Sequence, residues 1–254
     1  MGLFDKKFCD ICGEKIGLLG NRKLEDGNLC KDCAKKLSPW FSDRRKSTVD
    51  EIKEQLAYRE ENLAKVEVFH TTRTLGTDMK VLLDEDAKKF MVTRERNLTE
   101  ANPDVLEFSD VTGCDLDIDE STTELKREGK DGQRISYVPP RYEYSYNFYI
   151  TIFVNNPYFD EIKFKINSSS VDITPPAMPG KVSVCNPGTD AEYRRYKQMG
   201  EEIKRALTQV RQDVRKEAAQ AAAPKAAVTC PYCGATTTPD ASGCCEYCGG
   251  AVNG

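Results

Sequence analysis

Among its 254 residues the chain has one histidine, one tryptophan and no apolar run near the ~20 residues that span a bilayer. With His70 as its sole imidazole, it has no second ring to share a metal, and a Ser–His or Cys–His dyad would rest on that one side chain. No glycine-rich phosphate loop and no nucleophile elbow occurs. A lone histidine near a strand start reads as a packed or surface residue, so an enzyme is not expected. The first cysteine is reached at Cys9, before a signal-peptide core would fit, and Lys6 stands where a myristoylation signal wants Ser or Thr. A cytoplasmic protein is the expectation.

Cysteine, by contrast, is abundant. Nine of the eleven lie at the two ends, and only Cys114 and Cys185 fall between. In a reducing compartment paired cysteines read as metal ligands before disulfides. Cys9, Cys12, Cys30 and Cys33 follow C-x2-C-x17-C-x2-C, which closes a tetrahedron of thiolates with no position left for water. Between the pairs, Asp26-Gly27 marks a hairpin turn, and the second pair runs into a short helix that Pro39 stops. Knuckle, hairpin and ligand-bearing helix is the order of a treble-clef zinc finger. Gly13 after Cys12 also suits iron in a rubredoxin-like site.

At the other end Cys230, Cys233, Cys244, Cys245 and Cys248 offer five thiols for four places. Matching CPYCG with CEYCG selects Cys230, Cys233, Cys245 and Cys248 and leaves Cys244 aside, with its replacement of Cys245 as the alternative. Cys114 sits on the apolar phase of a strand and reads as a core residue; Cys185 lies in a proline-rich loop with nothing basic to activate it.

Thr48 and Glu51 form a capping box opening a helix, with Val49, Ile52, Leu56, Leu63 and Val66 as its apolar stripe against one neighbour. Residues 67–173 read as β. Lys80–Leu83 and Lys89–Thr93 form a hairpin, and Tyr142, Tyr144, Tyr146, Phe148, Ile150, Ile152 and Val154 alternate with mostly polar positions. That aromatic face could stack bases, but its continuation into aliphatics makes it a core. Asp115, Asp117 and Asp119 alternate likewise; a calcium loop would need a closing glutamate where Lys126 stands. A second capping box, Thr189 with Glu192, opens an amphipathic helix carrying Tyr193, Tyr196, Met199, Ile203, Leu207, Val210 and Val214.

The opening CDICGEKIGLLGNRKLEDGNLCKDC resembles a bacterial N-terminal zinc-binding module filed as a domain of unknown function, whose four cysteines fall on Cys9, Cys12, Cys30 and Cys33. The segments from VLLDEDAKKFMV to YITIFVNNPYFDEIKFKI resemble a bacterial pleckstrin-homology-like domain, which implies a curved antiparallel sheet closed by a C-terminal helix. The last cysteines resemble the short zinc ribbons of many prokaryotic proteins.

The expected architecture is thus α+β and multi-modular. A treble-clef-like zinc-binding domain over 1–46 is followed by a linking helix over 47–66. A pleckstrin-homology-like β domain with its closing helix covers 67–216, a flexible Ala-rich linker 217–229 and a zinc ribbon 230–254. Two structural Zn²⁺ ions are the expected cofactors. Charge is uneven, +4 over 1–46, −10 over 47–190 and +4 over 191–229, so the acidic body argues against a general grip on nucleic acid. The expected role is a non-enzymatic adaptor with protein partners. The alternative is nucleic-acid binding through Arg44, Arg45 and Lys46 and the basic C-terminal helix, and membrane contact would be peripheral at most.

Overall fold

A computed structural model describes residues 6–222, 227–240 and 242–252. The chain divides into two compact units, Met1–Arg211 and Gln212–Gly254. In the first, β1 (Lys7–Phe8) and β2 (Lys15–Ile16) flank the first cysteine pair, and β3 (Arg22–Lys23) and β4 (Asn28–Leu29) form the expected hairpin. The Leu24 amide donates to the Gly27 carbonyl (2.9 Å) to close its turn. A Cβ at Gly27 would lie 2.5 Å from Val49 and 2.8 Å from the Asp10 carboxylate, so glycine lets knuckle, hairpin and the following helix meet. Helix α1 (Lys31–Lys35) carries the second cysteine pair.

Helix α2 (Val49–Glu67) opens with the capping box read from Thr48 and Glu51, each satisfying the other's backbone amide. Its packing differs from the expected stripe. The buried face is Ile52, Gln55, Arg59, Asn62 and Val66, while Leu63 is exposed, so polar side chains occupy the middle of the contact. Nor does α2 rest on one neighbour. Ile52 completes a cluster with Leu24, Leu29 and Leu37 of the cysteine module, and Val66 packs with Leu82, Met91 and Val105 of the β domain.

Between those apolar ends lies a buried polar junction. Arg59 donates to the Asp104 carboxylate (2.7 Å), to the Lys36 carbonyl (3.2 Å) and to the Asn102 carbonyl. The Ser38 hydroxyl donates to the other Asp104 oxygen (2.8 Å). Asn62 donates to the Asn102 side chain and the Pro103 carbonyl and accepts from the Val105 amide. Both Arg59 and Asp104 are almost fully enclosed. Burial pushes the Asp104 carboxyl up, against the pull of Arg59 and Ser38. Lys36 and Ser38 belong to the cysteine module, so it is docked on the β domain. Tyr158 strengthens the same joint by meeting both Phe41 and Tyr58.

The β domain holds two sheets. β5 (Arg73–Gly76), β6 (Lys80–Asp84), β7 (Lys89–Thr93) and β8 (Leu106–Glu107) form an antiparallel meander, with helix α3 (Leu98–Ala101) between the last two. In the second sheet β9 (Val111–Glu128) runs along one edge of β10 (Arg134–Val154). β11 (Glu161–Lys165) and β12 (Val171–Ile173) follow one another along the opposite edge. Tyr146, Phe148, Ile150, Ile152 and Val154 are buried, as their alternation implies. Tyr142 and Tyr144 are only half-buried. From Arg134 to Glu143, β10 has β9 as its only strand partner among the described residues, and ladder register is lost across Tyr137–Pro140, where two prolines lack amides to donate.

Helix α4 runs from Ala191 to Ala222, and its first half, through Leu207, packs on the aromatic face of this sheet. Tyr193 meets Tyr146 and Phe148 edge-on (4.9 and 5.2 Å between centroids), and Ile203 and Leu207 are fully buried. Gly200 permits close approach, since a Cβ there would lie 2.5 Å from Leu116. The expected cap is corrected: Asp190, not Thr189, accepts from the Tyr193 amide, while the Thr189 hydroxyl donates to the Asn186 carbonyl. The helix also runs past 216 to Ala222, as alanine's propensity favours, so the expected flexible linker starts as helix. Residues 223–226 of that linker lie outside the described residues.

The second unit contains the end of α4, then β13 (Val228–Thr229) paired with β14 (Thr236–Thr237), and a small core of Cys230, Cys245, Val252 and Val228. No described helix is long and apolar enough to cross a membrane.

Removing Asp104 would leave the Arg59 guanidinium enclosed without its carboxylate, a situation that costs about 3–5 kcal/mol. Asp104→Ala is therefore expected to lower unfolding free energy by about that amount in a denaturant titration, and a loss under about 1 kcal/mol would contradict the role of the junction.

Candidate metal centres

Three of the four cysteine pairs are the same local device. In each, the amide of the glycine after the second cysteine donates to the carbonyl of the first: Gly13 to Cys9 (2.8 Å), Gly234 to Cys230 (2.9 Å) and Gly249 to Cys245 (2.8 Å). The first cysteine's own amide then donates across the turn, to Glu14, Ala235 or Gly250 (2.9 Å each). All three glycines have φ between 69° and 75°, which side chains other than glycine adopt at a cost. The short ladders β1–β2 and β13–β14 hold two of these turns at their bases.

The fourth pair is built differently. Cys30 caps α1, its sulfur accepting from the Cys33 amide (3.3 Å), and its own amide points at the Cys9 sulfur (3.3 Å). The hairpin between the pairs is anchored where the Asn28 amide donates to Asp10 (2.6 Å). Beyond it the Val49 amide donates to Asp26 (2.8 Å). The first turn of α2 is therefore part of this module.

These turns gather Cys9, Cys12, Cys30 and Cys33 into one group and Cys230, Cys233, Cys245 and Cys248 into another, the ligand atoms of each lying within 4.8 Å of one another. Individual sulfur separations are 3.8 Å (Cys12–Cys30), 3.6 Å (Cys230–Cys248) and 3.7 Å (Cys233–Cys245). A disulfide would need about 2.05 Å. A tetrahedron with metal–sulfur bonds of about 2.3 Å has edges of about 3.8 Å, so the spacing fits a four-thiolate ion site. All eight cysteines are free of disulfides.

Proton affinities within each group are split. Burial opposes charge on Cys9, but amides of Cys12, Cys30 and Ile11 outweigh it and bring the thiol down to about 7. Burial and its three neighbouring sulfurs push Cys33 up. In the second group burial is again outweighed at Cys245, by the amides of Tyr247 and Cys248, and the thiol falls to about 6. Thiolates so close repel, and a bound cation would remove that conflict by holding all four deprotonated.

The remaining candidates stand apart. Cys244 is outside the second group; its amide donates to Asp240 (2.9 Å) and it bridges to Ala251. Cys114 is buried, and burial and Asp115 raise its thiol to about 12, as befits a core residue. Cys185 is half-buried, 3.5 Å from the Tyr146 hydroxyl. His70 is exposed, and its backbone amide donates to Asp84 (2.9 Å). Asp115, Asp117 and Asp119 are exposed along β9, with Lys204 3.2 Å from Asp115.

Sequence reading did not find the junction of Ser38, Arg59, Asn62 and Asp104, because its members lie in three segments with no shared spacing. Nor did it find that Arg22 and Lys23 of the hairpin line one cleft with Arg44 and Arg45.

Residues 7–55 match the family model described as a domain of unknown function (DUF4428), a span that includes the cysteine module and the first turns of α2. No significant match to the chain was found among curated proteins or among solved structures.

The geometry separates adjacent thiols sharply. Cys245→Ser should lower metal content by one ion per chain, whereas Cys244→Ser should leave it unchanged, as read by elemental mass spectrometry. Equal losses in both variants would contradict the assigned set.

Proposed function

We propose that the chain is a cytoplasmic, non-enzymatic zinc-binding adaptor that works by holding protein partners. The observation that carries this reading is saturation: each ion site has four thiolates from the chain itself, leaving no coordination position for water or substrate. Thiolate-only ligation favours zinc over harder cations, and the knuckle glycines are compatible with iron as well.

Knuckle, hairpin and helix support reading the first site as a treble-clef finger, and paired knuckles support reading the second as a zinc ribbon. A meander, a second sheet three strands wide and a C-terminal helix on its aromatic face support reading the middle as a pleckstrin-homology-like domain. Domains of this kind act by presenting edges and grooves to peptides and other ligands. Here the outer edge of β9 has no strand partner among the described residues. A nucleic-acid role draws support from the basic cluster on the first module and is the competing reading.

Affinity purification of the full chain with and without nuclease separates the two. Protein partners are expected to be retained after nuclease treatment and in moderately raised salt. Loss of all partners with nuclease, together with steep salt dependence, would replace the adaptor by a nucleic-acid binder.

A further inference from the structure

At the tip of the first module the chain exposes two adjacent leucines. Leu18 and Leu19 are 90% and 87% exposed, and they occupy the centre of a turn closed by the Gly20 amide donating to the Gly17 carbonyl (2.9 Å). Single exposed apolar residues are ordinary; a leucine pair held at a turn apex, with no cover, is an apolar probe.

The chain leaving this turn at Asn21 enters an open cleft of about 680 Å³ lined by Arg22, Lys23, Arg44 and Arg45, with Glu25 as its one carboxylate. The two features are joined, because the Arg22 guanidinium reaches the Leu19 carbonyl (3.4 Å). Arg44 is fixed across the cleft by donating to the Lys23 carbonyl (3.0 Å). Burial, then repulsion from Arg22 and Arg45, makes the Arg44 charge harder to hold, which an incoming anion would relieve. By contrast, Lys46 is engaged with Asp43 (3.1 Å) and does not line the cleft.

We propose that this face is a peripheral membrane-docking surface, in which Leu18 and Leu19 enter the acyl boundary of an anionic bilayer while Arg22, Lys23, Arg44 and Arg45 hold lipid phosphate. Apolar tip and basic cleft match the two layers such a surface offers, hydrocarbon below and phosphate above. A nucleic-acid backbone would use the cations but leave the leucines idle, and no aromatic side chain lines the cleft to stack a base. The charge is also placed where it can act: the module carries +4 while residues 47–190 carry −10, so within residues 1–190 attraction to an anionic surface is concentrated at this end. The proposal rests on the zinc-held form of the module and extends the adaptor reading to a second kind of surface.

The test is vesicle flotation with the full chain, its metal content measured in the same samples, using phosphatidylcholine alone and phosphatidylcholine with phosphatidylglycerol. The metal-loaded protein is expected to float with the anionic vesicles and not with the neutral ones. Leu18→Ser with Leu19→Ser and, separately, Arg44→Ala with Arg45→Ala should each reduce binding by about tenfold or more, with metal content and circular dichroism unchanged. No flotation by metal-loaded protein overturns the membrane proposal and leaves the zinc reading intact; absence of metal is the distinct failure of that reading. Loss in the arginine variant alone, with an oligonucleotide bound in place of vesicles, overturns it in favour of nucleic acid.

Discussion

Four sulfur atoms held within 4.8 Å of one another, some pairs as close as 3.6–3.8 Å, repel once deprotonated and cannot all ionise unaided. Everything in the two cysteine modules is arranged around that conflict. Glycines with positive φ turn the backbone so that each pair converges, and amides of the turns point at sulfur. What remains is negative charge that a bound divalent cation would offset. Among the described residues the hydrophobic cluster of the first module is small, centred on Leu24, Leu29, Leu37 and Ile52, and that of the second is Cys230, Cys245 and Val252 with half-buried Val228 against them. Cores of that size rarely hold a fold without a staple, so ion binding to these groups would be coupled to folding of the modules.

The first module is not a free appendage, and the reason is physical. Arg59 and Asp104 are enclosed together, and Ser38, Lys36, Asn62 and Asn102 supply the remaining hydrogen bonds. A half-made network of this kind costs more than an apolar contact, so the junction tolerates one relative placement of finger, α2 and β domain. That placement fixes where the basic cleft and the leucine tip stand relative to the acidic body. The linking helix is better described as shared, its first turns belonging to the finger and its last to the meander.

Much of this was legible in the sequence where the signal is local. The cysteine spacings, the Asp26-Gly27 turn, the Thr48–Glu51 box and the alternation from Tyr146 to Val154 each involve neighbours in the chain. The signals that failed depend on distant partners. The buried face of α2 differs from the apolar stripe because Arg59 and Asn62 look solvated until Asn102–Val105 is known to lie against them. Asp190 competed with Thr189 for one cap, and backbone geometry decided between two plausible oxygens. The strand β12 is three residues long and is defined by pairing with Tyr144–Tyr146, not by its own pattern. The cleft joins residues 22–23 to 44–45, a meeting that charge composition alone does not reveal.

The chain gathers four thiols near each end, in groups that could each hold an ion, and uses a buried ion pair to orient the first of them. We propose two closed thiolate sites, each taking one ion. Elemental mass spectrometry of protein purified without added metal, with protein concentration measured on the same sample, tests that claim most directly. Two zinc ions per chain is the expected result. Iron in place of zinc, or well-folded protein holding fewer than two metal ions, would contradict it.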